Sequence, residues 1–185
     1  MEEKSKIAII YKSKYGTTKK YAGWIAIKLD ADLYEISDIT SGDLPDYDTI
    51  IFGSSLYAEK IRGINFITRN YEKIKNKNII VFVVGLSENK NSTIDKVIES
   101  NFSEDFSNHV KLFYFRGALD YKNLGLLDKI MIKGLKKVLE NKRLEELDEY
   151  NKFLLKNFYT MIDFTDKNSV IDIVEYVNNL CAKNE

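Results

Sequence analysis

Apolar residues fall along the chain in alternating short runs and helical stripes. Ile7-Ala8-Ile9-Ile10-Tyr11 is an uninterrupted apolar run rich in β-branched residues, which predicts a buried strand. From Thr17 to Leu29 the spacing changes. Tyr21, Ala22, Ile25 and Leu29 share one face while Lys19, Lys20 and Lys28 lie elsewhere, which predicts an amphipathic helix. Asp32 to Ile36 reads as a second strand and Thr49 to Gly53 as a third, with Pro45 and Asp46-Tyr47-Asp48 marking a loop between them. Gly63 to Lys75 carries Ile64, Ile67, Tyr71 and Ile74 at helical spacing. Ile79 to Gly85 is the most apolar segment and predicts a central strand covered on both faces. Ser92 to Phe106 reads as a helix capped by Ser92 or Thr93, Lys111 to Phe115 as a fifth strand, and Asn168 to Leu180 as a closing helix.

Strands that alternate with helices imply a parallel sheet with helices on both faces. Right-handed crossovers restrict the topology to a doubly wound α/β sheet of five strands. The stretch 121–150 stands outside this pattern as a helical insertion near the fifth strand. Lys156 to Asp163 reads as a further strand returning to the sheet edge. With no repeat or low-complexity linker, residues 1–185 are expected to form one domain.

Composition removes several classes of function. The chain has 28 basic and 28 acidic residues, so bulk positive charge for a nucleic acid is absent. The one cysteine, Cys181, forms no internal disulfide, and a chain of this size needs none, since folding buries roughly 70% of its surface. The only histidine, His109, excludes a site built on several histidines and is expected to be a polar residue at a strand entrance. The charged start Met1-Glu2-Glu3-Lys4-Ser5-Lys6 lacks a signal-like apolar core, and no run has the length of a membrane span. The expectation is a cytoplasmic protein.

Ligands of doubly wound sheets bind at the carboxyl ends of the strands. The first loop there is Ser13-Lys14-Tyr15-Gly16-Thr17-Thr18, which follows a strand and opens a helix. Its hydroxyls can donate to phosphate oxygens, Gly16 permits a turn that aims amides inward, and the helix start favours an anion. Neither the Gly-Lys-Ser/Thr ending of the P-loop nor a G-x-G-x-x-G fingerprint is present, so the loop suits a terminal phosphate monoester. Two more loops arrive at this edge. Gly53 to Ala58 contains Ser54, Ser55, Leu56 and the flat ring of Tyr57, and Val84 to Ser87 contains Gly85, Leu86 and Ser87. Their small residues would let the backbone approach a ring system that also stacks on an aromatic side chain.

The segments Tyr11 to Thr18 and Asp46 to Tyr57 resemble the flavodoxin-like family. Gly117-Ala118-Leu119-Asp120-Tyr121, followed by Leu127 to Lys133, resembles the branch that contains the FMN-dependent protoporphyrinogen IX dehydrogenase of bacteria. The resemblance implies FMN as cofactor, sheet order 2-1-3-4-5, Ser13, Tyr15, Gly16, Thr17 and Thr18 around the phosphate, Tyr57 against the flavin and Gly85 along its other edge. That branch places a basic and aromatic pair after the second-loop serine, where this chain has Leu56-Tyr57-Ala58-Glu59-Lys60. The leading expectation is an FMN-dependent oxidoreductase with a small-molecule or protein redox partner. The alternative is a flavodoxin-type electron carrier, and a third reading is a partner-binding domain without cofactor. No side chain stands out as a catalytic acid or base, and none is needed where a flavin carries the chemistry.

In the insertion, Leu124 to Leu139 forms a helix candidate. Leu127, Ile130, Met131, Leu135, Val138 and Leu139 make one stripe, and Lys129, Lys133, Lys136 and Lys137 are offset only by Asp128. Such a stripe packs on the protein or lies on an anionic membrane at the inner face. The acidic stretch Glu140 to Glu149 would keep that end off such lipid.

Overall fold

The computed structural model describes residues 5–57, 59–88 and 91–182, and the side chains of Asn91 and Ser92 are left aside. Met1 to Lys4, Ala58 and the Ser92 cap assigned from sequence therefore lie outside the described residues.

Five parallel strands form the centre: β1 (Ile7–Lys12), β2 (Asp32–Glu35), β3 (Thr49–Tyr57), β5 (Asn78–Gly85) and β6 (Val110–Arg116). Their spatial order is β2-β1-β3-β5-β6, which is the expected 2-1-3-4-5 when the parallel strands alone are numbered. A two-residue strand, β4 (Lys60–Ile61), pairs antiparallel with the end of β3. Alternation along the strands divides the core into two layers. Ile80, Phe82 and Val84 of β5 join Ile9 of β1 on one face; Val81 and Val83 join Ile10 on the other. Each fully buried side chain of this size is worth about 1.5–3 kcal/mol, which is why the central strands carry no polar face.

Helix α1 (Thr17–Leu29) covers the first face through Tyr21, Ile25 and Leu29, together with α8 (Ile171–Cys181) through Ile173 and Val177. The other face is covered by shorter pieces: α2 (Asn65–Thr68), α3 (Tyr71–Ile74), α4 (Asn91–Asn101) and α5 (Glu104–His109). Two of the expected helices are therefore interrupted. Between α2 and α3 the Asn70 side-chain amide donates to the Phe66 carbonyl at 2.8 Å, a local bond that competes with the helix ladder. Between α4 and α5, Ser103 caps the new helix by accepting from the Phe106 N–H at 3.3 Å. α4 starts at Asn91, so Thr93 lies inside its first turn and does not cap it.

After β6 the chain leaves the sheet. β7 (Ala118–Asp120) leads through a 3-10 turn at Tyr121–Asn123 to α6 (Leu126–Glu140). α7 (Glu149–Asn157) and β8 (Met161–Asp163) follow. The strand expected over 156–163 is thus shorter, and it does not return to the main sheet. β8 pairs antiparallel with β7 as a separate two-stranded ribbon, because β7 has already left the sheet edge beyond Gly117. Lys156 and Asn157 instead end α7. The insertion has a core of its own, in which Leu124, Ile132, Leu139, Leu154, Phe158 and Ile162 are buried together.

Candidate functional site

A cavity of about 500 Å³ opens at the carboxyl ends of β1, β3, β5 and β6. That volume is ordinary for a small-molecule or cofactor site. The three loops singled out from sequence form one side, and the insertion forms the other through Leu124, Ile132, Leu135, Leu154 and Phe158.

Gly16 sets the geometry of the first loop. At φ 86° it stands in the left-handed region as the N-cap of α1, a conformation glycine adopts without a Cβ penalty. Its N–H donates to Ser13 Oγ at 3.1 Å, which closes the turn. No side chain caps α1 and no acid occupies its first turn. The amides of that turn therefore remain free of side-chain competition, with half-buried Thr17 and buried Thr18 beside them. Ser13, Lys14, Tyr15, Thr17 and Thr18 line the cavity, whereas Gly16 shapes the loop from behind. This donor set, several hydroxyls and an uncapped helix start beside a lysine, fits a phosphate monoester.

The second expected loop is the end of a strand. β3 runs on to Tyr57 because β4 pairs with it through Leu56↔Ile61 and Tyr57↔Lys60. Ser55, Leu56 and Tyr57 line the cavity. Ser54 is fully buried and is not part of the cavity wall; its hydroxyl donates to the Arg62 carbonyl at 2.6 Å and fastens β3 to the segment after β4. Gly53, expected to admit a ligand, makes room for the core instead: a Cβ there would lie 2.0 Å from Phe82 Cζ.

Gly85, Leu86 and Ser87 line the third side. The reason for glycine at 85 is again a protein group, since a Cβ would meet the Tyr114 hydroxyl at 2.4 Å. That hydroxyl lies 2.7 Å from Ser87 Oγ and donates to the Ser87 carbonyl at 3.0 Å, so the third loop is pinned to β6. Burial raises the Tyr114 pKa against the opposing effects of the Ser87 hydrogen bond and the Arg116 charge. Burial likewise pushes Tyr150, on the cavity wall, well above the usual tyrosine value.

Asp128 of α6 is the residue that the sequence reading missed as part of the site. Its side chain is buried, and it gathers both of the first two loops. Lys14 Nζ donates to Asp128 Oδ2 at 2.7 Å, Tyr15 Oη donates to the same oxygen, and Tyr57 Oη donates to Oδ1 at 3.3 Å. Tyr15 Oη also accepts from the Gly125 N–H at 3.0 Å. Burial pushes the carboxyl pKa up, but the hydrogen bonds from Lys14 and Tyr15, with the Lys14 charge and Tyr57, outweigh it and hold the pKa below the usual value of 3.8. The same hydrogen bond raises the pKa of Lys14. The spacing Asp128, Ile132, Leu139 contains the signal: an acid shares a helix face with two core residues.

The stripe read from sequence on α6 is the wrong face for packing. Leu127, Ile130, Met131, Leu135 and Val138 are exposed, and only Leu139 of that set is buried. His109 ends α5, with its Nδ1 2.8 Å from the Asp105 carbonyl, and does not line the cavity. Among the described residues no three His, Cys, Asp or Glu side chains cluster as metal ligands, and no helix is long and apolar enough to cross a membrane.

A wound parallel sheet with an uncapped phosphate-type loop after its first strand places this chain among the flavodoxin-like α/β proteins. A family model described as a flavodoxin domain matches residues 8–145, and the chain belongs to that family. No curated protein sequence matches it significantly. Similar solved structures include a flavoprotein in complex with FMN from Lactobacillus acidophilus NCFM, 19% identical over 60% of this chain and 92% of that one, TM-score 0.41. Two-electron reduced flavodoxin from Megasphaera elsdenii is 16% identical over 58% and 84%, TM-score 0.45. A WrbA-like flavodoxin from Agrobacterium tumefaciens is 18% identical over 60% and 83%, TM-score 0.42. Family membership rests on the matched stretch 8–145, not on these distant neighbours.

Proposed function

We propose that the chain is an FMN-dependent oxidoreductase acting on a small organic molecule. The observation that carries this reading is the shared cavity. The uncapped start of α1, with Ser13 and Thr17, opens into the same space as Tyr57 and the apolar wall of the insertion. In this reading Ser13, Thr17, Thr18 and the first-turn amides hold the phosphate, Lys14 is occupied by Asp128, and Tyr57 offers its ring to the flavin. Bound flavin supplies the transfer of electrons to and from the substrate. The protein's own part is to orient and to exclude water. Asp128 restrains the Tyr57 hydroxyl, the Tyr114–Ser87 pair fixes the third loop, and α6 and α7 form the wall facing the loops. Lys14 and Asp128 also place a cation and a carboxylate in hydrogen-bond contact at the cavity wall.

The walls favour an enzyme over a carrier, because a carrier presents its ring edge openly to partner proteins. The protoporphyrinogen branch remains a proposal for the substrate, resting on Gly117 to Tyr121 and on an apolar wall suited to a flat molecule. Fluorescence titration of FMN with purified protein tests the cofactor, and saturable quenching is expected. Redox titration of the loaded protein then tests the class: reduction in one two-electron step supports the enzyme, and a long-lived one-electron state supports the carrier.

A further inference from the structure

Helix α6 buries Asp128, Ile132 and Leu139 and leaves the adjoining face without cover. On that face Leu127 is 76%, Ile130 58% and Val138 56% exposed, with Met131 and Leu135 beside them. At 3.6 residues per turn these five positions form one continuous apolar strip along the helix. A soluble surface rarely presents such a strip without use for it.

Charge decides what the strip fits. Lys133 and Lys137 follow Ile130 by one and two turns and border the strip on one flank, both of them exposed. Among the described residues of α6 the acids are Asp128, which is buried and bonded to Lys14, and Glu140, which lies 3.4 Å from Lys136. No acid stands on the strip or between it and the two free-facing lysines. On the other border Met131 and Leu135 also form part of the cavity wall, so the strip leads to the cavity mouth.

We infer that α6 is an interfacial helix that lays this strip on an anionic lipid surface. Leucine, isoleucine and valine enter the boundary between headgroups and acyl chains, while Lys133 and Lys137 meet the headgroup phosphates. A second copy of the chain fits less well, because it would bring the same lysines to the contact with no acid on the strip to answer them. Docked this way, the cavity mouth faces the membrane through Met131 and Leu135.

The test is co-sedimentation of the full chain with vesicles of phosphatidylcholine alone and of phosphatidylcholine mixed with phosphatidylglycerol, at low and high salt. The expected result is binding to the anionic vesicles that salt weakens and that the neutral vesicles do not match. The double variants L127E/I130E and K133E/K137E should each weaken it about tenfold or more. All four side chains are outside the cores and outside the cavity wall, so the thermal unfolding midpoint should stay put as a control on folding. Absence of binding to anionic vesicles, equal binding to both compositions, or unchanged binding of L127E/I130E would overturn the inference. So would a dimer in sedimentation velocity that L127E/I130E disperses while no vesicle is bound; that outcome would assign the strip to a second copy.

Discussion

At the scale of single residues, the loop before α1, the end of β3 and the insertion meet at Asp128. Three side chains converge on its two oxygens, and two of them belong to the loop that opens α1. Asp128→Ala should therefore cost about 1.5–3 kcal/mol in urea unfolding, the worth of hydrogen bonds to a charged group. The pH dependence has a definite sign. The native pKa is held below the ordinary 3.8, so the stabilisation is fully present above 3.8 and is lost as pH falls through the lower native value. A plot of the unfolding midpoint against pH for the wild type and Asp128→Asn should converge at the acid end and separate above it. Thr17 makes a separate prediction. It stands in the uncapped first turn at the cavity wall, and Thr17→Ala should weaken FMN about tenfold or more in a fluorescence titration, with little change in unfolding. Equal affinity would place the phosphate elsewhere.

At the scale of elements, one face of α6 makes both of its contacts within the chain. Ile132 and Leu139 dock it on the insertion's core, and Asp128 ties it to the loop before α1. Truncating Leu139 to Ala should cost about 2–5 kcal/mol in a urea melt, as core truncations do. Truncating exposed Leu127 should cost little. The third loop depends on a different fit. In Gly85→Ala the new Cβ would meet the Tyr114 hydroxyl at 2.4 Å, so Tyr114 must shift and release Ser87. A loss of about 1–3 kcal/mol is expected on unfolding, and an unchanged midpoint would show that the Tyr114–Ser87 contact does not pin the loop.

At the scale of the whole molecule, the sheet and its order were legible because the parallel strands are covered on both faces. That burial leaves apolar runs such as Ile79 to Val84 that no other arrangement explains as simply. The first loop was legible for a local reason, since a glycine before two threonines at the start of a periodic stretch describes a turn into a helix. What could not be read is set by contacts distant in sequence. Asp128 looked like a charge offset among lysines, and its partners lie 114, 113 and 71 residues away. Packing of the α6 stripe on the protein, one of its two expected uses, is not met beyond Leu139, because periodicity identifies an apolar face and not what covers it; the buried face of this helix includes an acid. The glycines at 53 and 85 were placed at the right edge, but the atoms they make room for are Phe82 and Tyr114. The strand at 161–163 was sensed, while its pairing depended on where β7 had gone.

In the proposed reading the cavity between the α1 start and the insertion holds FMN. That reading is tested most directly by titrating FMN into the purified full chain and following flavin fluorescence, with Thr17→Ala alongside. Saturable quenching at one FMN per chain is expected, with the curve for Thr17→Ala displaced to about tenfold higher concentration. Flavin fluorescence that stays unquenched through the titration would contradict it.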